Sequence, residues 1–94
     1  MSSSIVIIPT YNEIENVEAI IRAVFVLQKE FHVLIVDDNS PDKTGDCVRG
    51  LQEEFKGRLF LETRLEKSGL GTAYIHGFKW AIAKGYDYIF EMDA

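Results

Sequence analysis

Four short, continuously apolar runs punctuate the chain: Ile5–Ile8, His32–Val36, Leu59–Leu61 and Tyr86–Met92. Runs like these, rich in Ile, Val and Phe, suit strands buried on both faces, as in a parallel sheet. Between them the period changes. Ile14, Val17, Ile20, Ile21, Val24, Phe25 and Gln28 follow the i, i+3, i+4 spacing of an amphipathic helix, with Glu15, Glu18 and Arg22 on the other face. Val48, Leu51, Gln52 and Phe55 repeat the pattern over a shorter span, with Gly57 as its stop. Ala73, Trp80, Ala81 and Ile82 predict a third helix that Gly85 ends. Inside that helix Gly77 costs about 1 kcal/mol relative to Ala, which points to close packing against a neighbour.

The order is therefore β-α-β-α-β-α-β. Helical crossovers force parallel pairing, and the right-handed crossover rule leaves few topologies. The expected fold class is α/β, a Rossmann-like three-layer α/β/α sandwich with a parallel sheet in the order 3-2-1-4. That order reverses direction between strands 1 and 4. Ligands of open α/β sheets bind beyond the carboxyl ends of the strands at such a reversal, so the segments after strands 1, 2 and 4 are the ones to question.

After strand 1 comes Pro9-Thr10-Tyr11-Asn12-Glu13; after strand 2, Asp37-Asp38-Asn39-Ser40-Pro41-Asp42; strand 4 ends in Glu91-Met92-Asp93-Ala94. Turn and cap chemistry accounts for part of this: Asn12 as a cap for helix 1, Asp42 or Thr44 for helix 2, and the prolines setting loop geometry. It accounts less well for Asp37 and Asp38, because adjacent carboxylates at a buried strand end repel unless a sugar hydroxyl, a base N–H or a metal engages them. Asp93, ending an apolar strand at the switch point, is placed to offer oxygen to a hard cation. The two glycines of Ser68-Gly69-Leu70-Gly71, just before helix 3, permit a tight turn and close backbone approach. Arg64 and Lys67 are the cationic pair nearest the expected site, with a solvated loop as the alternative reading. His32 reads as a surface residue opening strand 2, and His76 as a structural histidine of helix 3.

Composition narrows the choice of partner. Ten basic and fifteen acidic residues among 94 give a net charge of -5, and no basic run could neutralise several phosphates. That argues against nucleic acid. A polyphosphate ligand is not disfavoured on this ground, since a divalent cation reverses the local sign. The 47% hydrophobic and 27% charged content is that of a globular domain. The lone Cys47 fits a reducing compartment and a small core position. The opening Met1–Ser4 lacks a signal-peptide pattern, and no apolar stretch approaches the ~20 residues of a membrane span; both predict a soluble segment. Other α/β classes fail on placement. A receiver domain carries its acidic pair after strand 1, and a dinucleotide oxidoreductase needs a Gly-rich turn there.

Three ordered stretches, Ile5–Glu13, Val36–Asp42 and Lys67–Tyr74, resemble the family 2 glycosyltransferases, and within them the dolichol-phosphate and polyprenol-phosphate mannosyltransferases; Ile75-His76-Gly77 extends the third. The resemblance implies a GT-A fold, a GDP-mannose donor, a divalent cation (Mg²⁺ or Mn²⁺) and a polyprenyl or dolichyl phosphate acceptor met at the cytoplasmic face of a membrane. It implies that Pro9, Tyr11 and Glu13 contact the nucleotide, that Asp38 recognises base or ribose, that Asp37 supports this loop, and that Arg64 and Lys67 lie near the pocket or in an adjacent loop. Asp93 matches the first carboxylate of the family's Asp-x-Asp metal motif. Residues 1–94 would be the nucleotide-sugar-binding portion of the domain, ending inside that motif, without transferase activity alone and able to self-associate through the exposed edge of strand 4. No catalytic residue is assigned. A UDP-glucose-type enzyme and a non-catalytic nucleotide-binding module are the alternatives.

Overall fold

The computed structural model describes residues 3–27, 30–65 and 69–94. Four strands alternate with three helices: β1 (Ser4–Thr10), α1 (Val17–Leu27), β2 (Phe31–Asp37), α2 (Thr44–Glu54), β3 (Leu59–Thr63), α3 (Leu70–Ala83) and β4 (Tyr88–Glu91). All pairings are parallel, in the order β3-β2-β1-β4. The expected topology is the observed one. β1 runs longest against β2, from Ser4↔Phe31 to Thr10↔Asp37, so these two strands carry their polar ends out together.

Continuous apolar runs in β1 and β2 still alternate in direction, as the pleat demands. Val6, Ile8, Val33 and Ile35 face one way and join Val17, Ile21 and Val24 of α1 and Val48 and Leu51 of α2. Ile5, Ile7, Leu34 and Val36 face the other way, onto Ala73 and Ala81 of α3. One sheet thus separates two cores, with α1 and α2 on one side and α3 on the other. Gly77 explains how closely α3 sits: a Cβ there would lie 2.6 Å from Ile7 Cγ2 and 3.1 Å from Cδ1. Cys47 is a half-buried free thiol against the α1–α2 core, its pKa raised by burial and by Glu18.

Several boundaries differ from the sequence reading. Helix 1 begins at Val17; residues 13–16 form a turn leading into it, whose Glu13 carbonyl accepts from the N–H groups of Asn16 and Val17. Ile14 is accordingly exposed. Asn12 has φ 56°, not the extended conformation of a capping residue, and does not cap α1. Ile82 lies on the solvent side of α3, so the apolar face of that helix is narrower than expected. His32, read as a surface residue, is partly buried: its Nδ1 is hydrogen-bonded to the Tyr86 hydroxyl at 2.6 Å, and its ring meets those of Phe60 and Tyr86. Among the described residues, no helix is long and apolar enough to cross a membrane, and the outer edge of β4 has no strand partner.

Candidate functional site

Beyond the carboxyl ends of the strands, at the β1–β4 reversal, lies a cleft of about 300 Å³. One wall is the end of β1 with Pro9 and the β1–α1 loop with Tyr11 and Glu13; Asp38 closes a second side. Leu70 and Ala73 of α3 form a third, and Asp93, two residues past β4, completes the rim. Five of the expected site residues therefore converge: Pro9, Tyr11, Glu13, Asp38 and Asp93. Asp37 does not line this cleft and faces a smaller polar hollow shared with Ser40 and Lys43. Lys67 lies outside the described residues.

The β1–α1 loop is held in place by its neighbour through two parallel relays. Asn12 N–H donates to Ser40 Oγ (2.9 Å), and that hydroxyl donates to Asp37 Oδ1 (2.6 Å). Glu13 N–H donates to Thr44 Oγ1 (3.0 Å), whose hydroxyl donates to Asp42 Oδ1. Asp42 Oδ2 also accepts from Ile14 N–H. Burial pushes the Asp42 carboxyl up, but the donors from Thr44 and Ile14 outweigh it and leave the pKa below the ordinary value. Asp37 further accepts from Thr10 Oγ1 (2.7 Å) and from Ser40 N–H (2.9 Å). The carboxylates thus polarise hydroxyls that in turn fix the loop backbone, a tighter arrangement than a simple turn.

The adjacent Asp37 and Asp38 do not wait on a ligand for relief. Asp37 takes the hydroxyls and amide just named. Asp38 takes a fork from Arg64, Nε to Oδ1 at 2.6 Å and Nη2 to Oδ2 at 2.7 Å, with both side chains nearly buried (13% and 8% exposed). Such bidentate pairing is the strong form of the carboxylate–guanidinium contact, and it raises the Arg64 pKa still further. The same guanidinium reaches α3, where Nη1 donates to Thr72 Oγ1 at 3.0 Å, and the Arg64 backbone N–H donates to the Asp37 carbonyl at 2.8 Å. Arg64 therefore ties β2, β3 and the start of α3 together. Gly69, which caps that helix at φ 98°, occupies a conformation only glycine adopts freely.

Two residues escaped the sequence reading. Thr10 is buried and bonds Asp37 from the end of β1. Tyr74 donates its hydroxyl to Asp93 Oδ1. Burial first, and then the Asp93 and Glu91 charges, hold its phenol well above the usual range, so it remains a donor. The signal was present in Leu70, Ala73 and Tyr74, which share one face of α3 by their i, i+3, i+4 spacing. His76 lies elsewhere, 3.0 Å from Glu62 Oε1. No group of three or more His, Cys, Asp or Glu side chains gathers as a ready metal cage among the described residues. A lone exposed carboxylate on a cleft rim suits a cation that arrives with phosphate oxygens of its own.

Comparison with known proteins gives one answer. The chain is 44% identical over 91 residues to a polyprenol monophosphomannose synthase of Mycolicibacterium smegmatis, covering 97% of this chain and 34% of that one. It is 47% identical over 88 residues to an undecaprenyl-phosphate mannosyltransferase of Micrococcus luteus, covering 94% and 36%. A dolichol-phosphate mannosyltransferase of Pyrococcus furiosus is 38% identical over 78 residues, covering 81% and 22%. The chain thus spans about a third or less of the length of these relatives. A mannosyltransferase of Pyrobaculum calidifontis, solved with GDP-Man and Mn²⁺, superposes with a TM-score of 0.76 at 28% identity, over 83% of this chain and 24% of the other. Residues 5–94 match the family profile described as glycosyl transferase family 2. With β3-β2-β1-β4 order, a cleft at the reversal and a match over nearly its whole length, the chain belongs to glycosyl transferase family 2.

Proposed function

We propose that this chain is the donor-binding part of a divalent-metal-dependent, inverting glycosyltransferase that moves mannose from GDP-mannose to a polyprenyl or dolichyl phosphate at the cytoplasmic face of a membrane. The observation that carries the reading is the cleft itself: Pro9, Tyr11, Glu13, Asp38 and Asp93, from three separate segments, meet at one strand reversal. The names of the mannosyltransferase relatives and the GDP-Man and Mn²⁺ of the solved neighbour support the donor and the metal class.

Each residue then has a task. Tyr11, 38% exposed, borders the space a base would take, and Pro9 fixes the end of β1 that leads into its loop. Asp38 retains acceptor capacity beyond its two bonds to Arg64, since an ionised carboxylate has about four lone-pair sites; it accepts from base or ribose donors. Glu13 lies on the same wall, and Lys67 follows β3 in sequence, suited to phosphate. Asp93 is the carboxylate that would hold Mg²⁺ or Mn²⁺, which supplies charge stabilisation on the departing diphosphate. The acceptor's phosphate oxygen is already anionic and needs little general-base help. It attacks the anomeric carbon opposite the leaving group, the bond from that carbon to the diphosphate oxygen breaks, and the configuration inverts.

Isothermal titration calorimetry with GDP-mannose and UDP-glucose, each with and without Mn²⁺, tests this. We expect tighter GDP-mannose binding that depends on the metal. Tighter UDP-glucose binding overturns the mannosyl assignment, and no nucleotide binding to the cleft overturns the whole reading.

A further inference from the structure

Asp93 stands in an awkward place for a residue asked to hold a cation. The β4 ladder with β1 ends at Ile7↔Glu91, and the last backbone bond beyond it is Met92 N–H to the Ile7 carbonyl at 3.0 Å. Asp93 follows that bond, solvent-exposed and outside any strand. A carboxylate so placed loses rotamer freedom each time it is fixed, and that loss weakens whatever it binds. We propose that Tyr74 is the positioning residue that removes this cost: anchored on α3, its hydroxyl orients the Asp93 carboxylate toward the cleft before donor and cation arrive. The inference rests on Asp93 being the metal-binding carboxylate.

Three observations carry it. Tyr74 is half-buried, and its ring packs against the α3-side core that contains Ile5, Ile7 and Ala73. The phenol is therefore a rigid arm with two side-chain torsions, set by packing rather than by the loop it touches. Its hydroxyl donates to Asp93 Oδ1 alone, and the other oxygen, Oδ2, carries no hydrogen bond among the described residues. One carboxylate oxygen is thus committed and the second is presented, the division of labour a monodentate cation ligand needs. Finally, α3 reaches the end of β4 because Gly77 lets it descend onto Ile7. Gly77 lies one turn beyond Tyr74, so the close approach and the Tyr74–Asp93 bond belong to one piece of geometry.

A hydrogen-bond partner that orients a metal ligand is typically worth about 10–100-fold in metal affinity. The test uses Mn²⁺ titrated by electron paramagnetic resonance into the protein saturated with GDP, for the wild type, Tyr74→Phe and Asp93→Asn. Urea unfolding and GDP binding in EDTA are measured alongside. The expected result is a loss of about 10-fold or more in Mn²⁺ affinity for Tyr74→Phe, a loss at least as large for Asp93→Asn, and unchanged GDP binding in EDTA. Three outcomes overturn the proposal. If Asp93→Asn weakens Mn²⁺ and Tyr74→Phe does not, Tyr74 has no positioning role while the metal assignment stands. If neither variant weakens Mn²⁺, the metal assignment of Asp93 fails and the proposal with it. If Tyr74→Phe lowers GDP binding in EDTA as much as it lowers Mn²⁺ affinity, Tyr74 merely supports the fold of the cleft.

Discussion

Gly77→Ala is the substitution whose outcome the structure constrains most tightly. Helix propensity alone predicts a gain of about 1 kcal/mol, since Ala is preferred to Gly inside a helix. The new methyl, however, would lie 2.6 Å from Ile7 Cγ2, 3.1 Å from Cδ1 and 3.3 Å from Cγ1. Ile7 is fully buried, and β1 is paired on both sides, so neither side chain nor strand has room to retreat. Overpacking of this kind costs about 1–3 kcal/mol, and a close contact on a central strand belongs at the upper end. The net expectation is a destabilisation of about 2 kcal/mol after the propensity gain is subtracted. Urea denaturation followed by circular dichroism measures it. Gly71→Ala is the control: it lies in the same helix, its added Cβ meets nothing within 4 Å, and it should be neutral or slightly stabilising. Pairing Gly77→Ala with Ile7→Ala sharpens the test. Ile7→Ala alone leaves a cavity costing about 2–5 kcal/mol, which the methyl at position 77 partly fills, so the double variant should lose less than the sum of the two. A Gly77→Ala protein as stable as wild type, or strict additivity in the double variant, would refute the close-packing account.

Removing Arg64 as Arg64→Met leaves Asp38 charged and nearly buried, a change expected to cost about 3–5 kcal/mol; adding Asp38→Asn should recover much of it, and denaturation midpoints of the three variants check both statements. For His32, burial first and then the nearby Arg58 charge depress the folded-state pKa below 6.5. The neutral imidazole therefore contributes stability that is complete above about pH 6.5 and is lost as pH falls through the lower folded value. Denaturation free energy plotted from pH 7.5 to 5 should fall with acidity, and His32→Gln should flatten that part of the curve; an identical slope in the variant sinks the assignment.

The sheet was readable in sequence for a specific reason. Parallel strands covered on both faces need unbroken apolar runs, and Ile5–Ile8 and His32–Val36 are such runs, bounded by polar turns that no helix would tolerate. Strand order followed from crossover handedness and needed no side-chain detail. What the pattern could not carry was the first turn before α1. Ile14 has the right spacing for the helix, yet it lies in the turn leading into it, where its N–H donates to the Asp42 carboxylate and the Glu13 carbonyl accepts from Asn16 and Val17. Periodicity records which residues are apolar, and it holds no trace of the hydrogen bond across 28 residues that anchors this turn.

The same difference explains which parts of the site were legible. The sheet carries its strand ends out to one edge, so Pro9 near the end of β1, Asp38 just past β2 and Asp93 two residues past β4 meet at the cleft, while Asp37, the last residue of β2, faces the neighbouring hollow. The loops between strands and helices obey no such rule. Ser40, Asp42 and Thr44 look like turn residues because each is a good local hydrogen bonder; in the folded chain their oxygens are turned onto the amides of Asn12, Glu13 and Ile14. Arg64 looks like a loop cation, and it spans from Asp38 to Thr72. These contacts join segments that are far apart in sequence, and all of them serve to fix a wall of one cleft. A loop at the end of a parallel sheet has no ladder of its own, and here the backbone donors of Asn12, Glu13 and Ile14 are satisfied by side chains from the neighbouring loop and the start of α2. The polar residues after β2 are therefore constrained by the shape of the loop after β1, and a substitution such as Ser40→Ala acts on that wall of the cleft from outside it.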